Sequence, residues 1–317
     1  MSNFVDVTSQ AAIIGSAYDQ MSVKPLRPAY IFDAVAKEKV WILNKVPTKG
    51  DTMIFTVLAA FSSNTAALSS TNLAYNGGTN TSYTRRSVTL SPYGNYTGVD
   101  VFELEPEAFV DDMLDVGFSL QDQSMNSLNQ IARTEIDKNK FANEVSGTLS
   151  TTYHYYASNG TVGTMGQLRA IDVRKVVADL KADNVEPYED GNYISIVHPN
   201  VSTQLRSETG NAAWSDAVLA GDQSVQRRFN GVIGVFENCR FIVNSQVQGA
   251  GTGTYSNYFL GREGVGKAIG KDVAVSMNPV LQGPHSSVAI VRWNALIGYK
   301  IIRREAIRIV YSIGTQR

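Results

Sequence analysis

The chain of 317 residues has little of the chemistry that marks most enzymes and metal sites. Its one cysteine, Cys239, excludes an intrachain disulfide framework. Cys239 lies in the strand-like run Gly234–Val243, which favours a buried structural thiol over a nucleophile. The three histidines, His154, His198 and His285, are scattered, and none has a partner at metal-ligand spacing. We therefore expect no metal, no cofactor and no catalytic residue.

Charge is also scarce. Charged residues make up 18% of the chain, against about a quarter in typical globular domains. There are 28 Lys and Arg residues and 29 Asp and Glu residues, which gives a formal net charge of -1. The composition therefore lacks the excess of basic residues that is typical of nucleic-acid-binding proteins. The apolar fraction of 43% is ample for a core. Low charge with ordinary apolar content favours extensive burial between subunits.

Long hydrophobic runs are missing as well. No stretch approaches the ~20 apolar residues that a membrane-spanning helix needs. The N-terminus, Met1–Asp6, has neither the basic region nor the apolar core of a secretory signal. We expect a protein that folds in a reducing cytosol and has no membrane partner.

The most informative absence is local. Thr52–Thr84 contains no Lys, Arg, Asp, Glu or His. It starts as the strand-like run Thr52–Leu58, passes through a tip rich in Ser, Thr, Asn and Gly, and returns in the strand-like run Ser87–Leu90, which predicts a long β-hairpin. An exposed arm of a soluble monomer normally carries charge. An uncharged arm suits contact with another protein, because no charge has to be desolvated.

The rest of the chain predicts a mixture of helices and strands. Residues 9–24 and 30–41 have the periodicity of two short helices, and the return strand of the hairpin is expected to continue to Glu105. The longest helical signal covers 107–145, with its apolar face ending in Leu128, Ala132 and Ile136. After a polar segment at 146–163, helices alternate with strands, and further strands return near the C-terminus. This pattern predicts an α+β fold.

One motif suggests nucleotide chemistry. Gly261–Ala268 nearly matches the phosphate-binding loop G-x-x-x-x-G-K-[ST] and follows a strand-like run. Position 268 is alanine, so the hydroxyl that would hold Mg²⁺ is missing. The residues that follow do not have a helical pattern, so phosphate would have no helix N-terminus to bind. We expect a Gly-rich turn between strands, and a nucleotide hydrolase using Gly261–Lys267 remains the alternative.

Two acidic clusters have structural explanations. A carboxylate pair would suit glycoside hydrolysis, but the end of a strand beside a helix start explains the first cluster better: Glu103, Glu105 and Glu107. The second cluster fits the first turns of a helix, where the dipole favours acids: Asp111, Asp112 and Asp115.

Basic residues near the C-terminus, and one histidine, also have structural explanations. The basic residues alternate with apolar ones, which favours a solvated or interface-facing side of a strand: Lys300, Arg303, Arg304 and Arg308. His198 precedes Pro199 and is expected to cap or to pack against the start of the helix that begins there.

The order of these parts resembles the major capsid proteins of tailed bacteriophages, whose fold is named after phage Hong Kong 97. An N-terminal arm, a long hairpin, a very long helix, an α+β domain and returning strands follow one another, from about residue 25 to 311. Local segments resemble the family too: Leu90–Tyr96, His198–Val201 with Leu205–Arg206, Gly231–Gly234 with Arg240–Val243, and Phe259–Glu263.

The resemblance implies a Hong Kong 97-type fold in five parts. These are an N-terminal arm (1–48), an extended hairpin loop (49–104), a peripheral domain with a spine helix (105–160), an α+β axial domain (161–284) and returning strands (285–317). It implies an icosahedral shell of hexamers and pentamers that is assembled in the host cytoplasm and located in the virion. It implies no active site.

The resemblance also implies partners and contacts. The partners are other copies of the chain, with scaffold, portal and decoration proteins, and packaged DNA through non-specific contacts only. Subunit contacts are expected on the hairpin: Phe61, Asn64, Leu68, Leu73, Tyr75, Tyr83, Arg85 and Arg86. Some relatives cross-link through a loop lysine, and the absence of lysine from Thr52–Thr84 argues against that here. A tail or surface-layer component is the other structural alternative.

Overall fold

A computed structural model describes residues 30–41, 46–58, 82–100, 106–143, 148–157, 165–208, 232–247, 253–282 and 288–314. For 99–100, 106–114, 232–233 and 277–282 only the backbone is described. The helix predicted at 9–24 and the hairpin tip lie outside these ranges.

The N-terminal part of the described chain contains one short helix and four strands. They are α1 (Ile31–Ala34), β1 (Lys37–Val40), β2 (Thr52–Leu58), β3 (Tyr83–Thr89) and β4 (Ser91–Asp100). The helix predicted over 30–41 is therefore wrong after its first turn. Lys37–Val40 is extended because it pairs in parallel with Gly266–Ile269, and this sheet pairing outweighs the helical periodicity.

The long predicted helix is present as α2 (Pro106–Asp137), with 32 residues and a length of about 48 Å. Its predicted apolar face is confirmed, since Leu128, Ala132 and Ile136 are buried. It ends eight residues earlier than expected, in a 3₁₀ turn at Lys138–Lys140.

A tertiary contact holds the chain directly after this helix. The guanidinium of Arg304 donates to the carbonyl oxygens of Asn139, Phe141 and Ala142, and the Asn139 amide donates to the carbonyls of Arg304 and Ile307. Asn139 lies in the 3₁₀ turn, and Phe141 and Ala142 follow it, so these bonds fix the path of the chain directly after the helix. The partner is 165 residues away in the chain, so local periodicity could not reveal this end.

The C-terminal half supplies two more helices and eight more strands in the described residues: β5 (His154–Tyr156), α3 (Ala170–Ala182), β6 (Tyr193–Val197), α4 (Pro199–Ser207), β7 (Val232–Phe236), β8 (Cys239–Val243), β9 (Thr254–Leu260), β10 (Val265–Gln282), β11 (Val288–Ile301) and β12 (Ile307–Ile313). His198 caps α4 as predicted, because its Nδ1 accepts from the Asn200 N–H at 3.3 Å. Cys239 is buried in β8 as predicted, and burial raises the pKa of its thiol.

These strands form three sheets. The six-stranded sheet has the order β5-β12-β9-β6-β8-β7, the four-stranded sheet has the order β1-β10-β11-β4, and β2 pairs with β3. The return strand predicted to continue from the hairpin is divided at Leu90. The Leu90 N–H donates to the Asp51 carbonyl at 2.8 Å and its carbonyl accepts from Gly50, so the chain leaves one sheet there and enters the next.

The core lies between α2 and one face of the four-stranded sheet and continues into the six-stranded sheet. Alternate residues of β11 face α2 and are buried: Ala289, Val291, Trp293, Ala295 and Ile297. The Trp293 indole N–H donates to the Gln123 side chain of α2 at 3.2 Å, which fixes the side of the sheet on which the helix lies.

One of the basic residues near the C-terminus, Arg308, does not lie on a solvated side of a strand. This side chain is 1% exposed, and its guanidinium pairs with Asp183 and donates to the Glu305 carbonyl at 2.6 Å. It also lies 4.9 Å from the centre of the Tyr153 ring, with Arg304 at 5.0 Å. A cation this buried needs such partners, because its desolvation is costly.

Candidate assembly surface

The predicted hairpin is present at its base, where β2 and β3 pair antiparallel from Thr52 opposite Thr89 to Leu58 opposite Tyr83. Successive side chains of a strand point to opposite faces. Met53, Phe55 and Val88 share the inner face and are buried, with 6%, 6% and 1% exposure. Burial therefore alternates along the strand and divides the hairpin into an inner and an outer face.

The inner face packs on the four-stranded sheet, on the side opposite α2. The residues of β11 that face the hairpin, Leu296 and Gly298, alternate with those that face the helix. The hairpin forms a small apolar cluster of its own, separate from the main core: Met53, Phe55, Val88, Leu90, Ala268 and Ile302. The four-stranded sheet therefore lies between the hairpin and the long helix.

Glycines let the hairpin approach the sheet closely. A Cβ atom at Gly298 would lie 2.3 Å from the Thr89 carbonyl oxygen, and one at Gly266 would lie 3.1 Å from a ring carbon of Phe55. Neither glycine needs an unusual backbone conformation, so close approach explains them.

The segment before the hairpin also holds it. The Lys39 ammonium on β1 donates to the Ile54 carbonyl at 2.7 Å and lies 5.6 Å from the centre of the Phe55 ring. On the same strand, Glu38 accepts from Lys267 at 2.9 Å. Strand β1 thus joins the hairpin to β10.

Lys267 is a structural cation in this position. Its ammonium donates to Asp33 and Glu38, both at 2.9 Å, and Tyr299 donates to the other oxygen of Asp33 at 2.5 Å. Burial lowers the pKa of the Lys267 ammonium, but the two hydrogen bonds and the negative charges of Asp33 and Glu38 together outweigh burial, and the net shift is upward. The ammonium is therefore charged and engaged with carboxylates.

The near-match to a phosphate-binding loop is explained by this arrangement. Gly261–Gly264 is the turn between β9 and β10, and Lys267 lies within β10. The segment that follows is strand, so no helix N-terminus faces the turn. The expected turn is confirmed, and the structure does not support the nucleotide-hydrolase alternative.

The outer face of the hairpin carries exposed apolar side chains. Ile54, Leu58 and Tyr83 are 46%, 50% and 55% exposed, and the exposed Arg85 lies on the same face, opposite Thr56. Exposed apolar groups clustered on one face are typical of a protein–protein contact.

The structure places only some of the predicted contact residues. Tyr83 and Arg85 are on the outer face, whereas Arg86 is half-buried on the inner face, opposite Phe55. Five candidates lie outside the described residues: Phe61, Asn64, Leu68, Leu73 and Tyr75. The sequence reasoning missed Ile54 and Leu58, although their alternation with Met53 and Phe55 was the signal that could have found them.

Other chemistry has little support in the described residues. There, no three His, Cys, Asp or Glu side chains are grouped so that they could hold a metal ion. None of the described helices is both long and apolar enough to cross a membrane. Glu103 and Glu105 lie outside the described residues, and Asp115 is exposed on α2.

No protein-family model matches the chain, and no curated protein matches its sequence. Solved structures do match. The capsid asymmetric unit of cyanophage Pam1 aligns over 100% of both chains with a TM-score of 0.67 and 13% identity. The capsid of Ralstonia phage GP4 aligns over 100% of this chain and 99% of that one, with a TM-score of 0.64 and 12% identity.

The head structure of Helicobacter pylori bacteriophage KHP40 is similar over 98% of both chains, with a TM-score of 0.64 and 11% identity. These likenesses cover essentially the whole chain at low identity, so they define its fold. The chain has the α+β, Hong Kong 97-type fold of tailed-phage capsid proteins, as the order of its parts predicted.

Proposed function

We propose that the protein is a major capsid protein, which self-assembles as hexamers and pentamers into the icosahedral shell of a tailed bacteriophage. One observation carries the proposal. The base of the hairpin packs on the four-stranded sheet, and its outer face exposes apolar side chains. The hairpin continues into a charge-free segment. On this fold, such a hairpin is suited to binding neighbouring copies rather than a small substrate.

The energetics of assembly agree with this design. Burying the exposed half of Ile54, Leu58 or Tyr83 would contribute about 1 kcal/mol each. Contacts of this size are weak singly, but closed symmetry repeats them in every subunit. The charge-free segment adds contact area without the desolvation cost of ions.

The parts of the chain are assigned accordingly. Residues 1–48 are the N-terminal arm and 49–104 the extended loop. Helix α2 with the four-stranded sheet forms the peripheral domain, built around 105–160 and the returning strands of 285–317. The six-stranded sheet forms the axial domain: β6 to β9 lie within 161–284, and β5 and β12 join them from outside that range. Strand β10 pairs with β11, which favours counting Val265–Gln282 with the peripheral domain.

The proposed partners follow from the shell. They are other copies of the chain, scaffold, portal and decoration proteins, and packaged DNA through non-specific contacts. The protein is assembled in the host cytoplasm, is located in the virion and has a structural rather than an enzymatic role. Tubes or flat lattices in place of closed shells would instead favour the tail or surface-layer alternative.

Deleting Ser62–Asn80 tests the proposal. The deletion leaves the paired strands at the base of the hairpin unchanged, so we expect a folded chain that forms no closed shells. A variant with the same segment replaced by Gly and Ser at equal length is the matched control, because it keeps the length and removes the side chains. Normal particles from the deletion variant, seen by electron microscopy, would contradict the proposed role of the arm.

A further inference from the structure

We propose that the free edge of β5 binds an extended acidic segment of another protein, which adds a strand to the six-stranded sheet. The docking site, called the β5 groove, is defined by the segment Thr148–Thr151, by strand β5 and by Asp172, Lys175 and Val176 of α3. The inference goes beyond the shell function, because it names a surface for a second kind of protein. It can be tested on the chain without particles.

Strand β5 lies at one edge of the six-stranded sheet and pairs in parallel with β12. The Ile309 N–H donates to the Tyr153 carbonyl at 3.0 Å, and the Ala157 N–H donates to a carbonyl of β12 at 2.8 Å. Alternate residues of an edge strand direct their backbone groups away from the sheet, so those of His154 and Tyr156 face outward. Within the described ranges, no strand pairs with β5 on that side. A free edge of this kind is a template for pairing with another chain.

The β5 groove lies along this free edge. Its volume is about 590 Å³, within the usual range of binding sites. The lining is mostly apolar and includes Leu149, Tyr155, Val176 and Val310. Neighbouring strands of a sheet lie about 4.8 Å apart. An added strand would therefore run inside the groove, with its backbone on β5 and its side chains against apolar walls.

The two faces of an added strand would meet different side chains. The Tyr155 side chain faces α3, where the Lys175 ammonium lies 5.6 Å from the centre of its ring. The His154 ring lies on the opposite face and packs edge-to-face on Tyr156 and Tyr311, with 4.9 and 4.4 Å between ring centres. Residues paired across two strands have their side chains on the same face. The incoming residue beside Tyr155 therefore meets Lys175, and its two neighbours meet the aromatic face.

The charge that the groove offers is positive. Lys175 is exposed, and none of the ion pairs within the described ranges includes it. Asp172 is engaged at the start of α3, where its carboxylate accepts from the Arg169 N–H at 3.0 Å. The groove thus fits a segment with an acidic residue between two apolar ones. The charge-free stretch Thr52–Thr84 has no acidic residue, so the arm of a second copy does not supply this segment.

A synthetic peptide of sequence Thr-Val-Glu-Val-Thr, blocked at both ends, is the probe. Added to the unassembled chain, it should slow amide hydrogen exchange at His154 and Tyr156. A peptide with Lys in place of Glu should bind about fivefold more weakly, and Lys175→Glu should reverse this preference. Equal binding of the two peptides to the unsubstituted chain, or no protection of either amide, would overturn the inference.

A proline substitution tests the backbone contact. Tyr156→Pro removes an N–H that faces the groove, whereas the pairing with β12 uses the N–H of Ala157. Proline is tolerated on edge strands where its missing N–H would face outward. Peptide binding should be lost in this variant and kept in the matched control Tyr156→Ala, which also lacks the ring but retains the N–H. Exchange of the β9 and β12 amides reports whether both variants are folded. Equal peptide binding by two folded variants would contradict strand addition.

Particles made from the chain alone separate a second protein from a second copy. We expect the His154 and Tyr156 amides to exchange in these particles as fast as in the unassembled chain, and to become protected when the peptide is added. Protection without peptide would mean that a second copy fills the groove, and it would overturn the assignment to another protein. Failure to form particles would count against the shell function and would leave the peptide results on the unassembled chain standing.

Discussion

The packing of the hairpin base on the four-stranded sheet can be tested with one substitution, Phe55→Ala. Phe55 is 6% exposed and clusters with Val88, Ala268 and Ile302. Replacing a buried phenylalanine by alanine typically costs about 3–5 kcal/mol. The lower end, about 3 kcal/mol, applies here because the cluster is small and one of its walls is a two-stranded hairpin that can collapse partly.

The loss should appear as local opening rather than global unfolding. The cluster of Phe55 is separate from the main core, so the hairpin can detach while the rest of the chain stays folded. A loss of 3 kcal/mol corresponds to an increase in local opening of about a hundredfold. Amide hydrogen exchange of the unassembled chain, followed over Thr52–Leu58 and Tyr83–Thr89, measures this.

Ile54→Ala is the matched control. Ile54 is the adjacent residue on the same strand but lies on the outer face, 46% exposed. We expect its exchange to stay near that of the unsubstituted chain, since exposed substitutions rarely exceed ~0.5 kcal/mol. Equal exchange in the two variants would refute the division into an inner and an outer face.

Two further predictions concern the close approach of the hairpin and a buried histidine. Gly298→Val puts a side chain 2.3 Å from the Thr89 carbonyl oxygen, so we expect a cost of about 1–3 kcal/mol and faster exchange in the hairpin. Burial lowers the pKa of His154 to about 4, with the Lys140 charge adding to the shift. The unfolded chain then binds a proton that the folded chain does not, so stability should fall by up to about 3 kcal/mol between pH 6.5 and 4.

Each of these two has a control. Thr52→Ile adds bulk on the exposed outer face and should leave hairpin exchange unchanged. A similar acceleration there would mean that close approach at Gly298 is not the cause. His154→Phe keeps a ring between Tyr156 and Tyr311 but cannot titrate. The denaturation midpoint of that variant should vary less with pH, because the contribution of His154 is removed. An unchanged pH dependence would contradict the lowered pKa of His154.

The hairpin and the strands of the C-terminal half were predictable because their signals are local. The strand-like run Thr52–Leu58 predicted the paired base of the hairpin, and the short run Tyr193–Val197 with His198–Pro199 predicted a strand and a helix start. These features depend on neighbouring residues, which the sequence presents directly.

The errors arise where distant residues decide the local structure. Lys37–Val40 becomes a strand only because β10 lies beside it, and the chain just beyond the long helix is held by Arg304, which binds the carbonyls of Asn139 and Phe141. Arg308 was expected on a solvated or interface-facing side of a strand because it alternates with apolar residues, but it is buried and pairs with Asp183 beside the Tyr153 ring. No window of sequence contains these partners together.

The outer face of the hairpin is an intermediate case. The alternation of Ile54 and Leu58 with Met53 and Phe55 was visible in the sequence, but which set faces the solvent was not. The position of the sheet decides this, because Gly298 and Ala268 form the surface on which the inner set packs.

The central claim is that the chain closes into shells, and negative-stain electron microscopy of the purified, overexpressed protein tests it most directly. We predict closed particles, or stable rings of five or six subunits, from the chain alone or with the neighbouring phage genes co-expressed to supply a scaffold. A monodisperse monomer under both conditions would contradict the account.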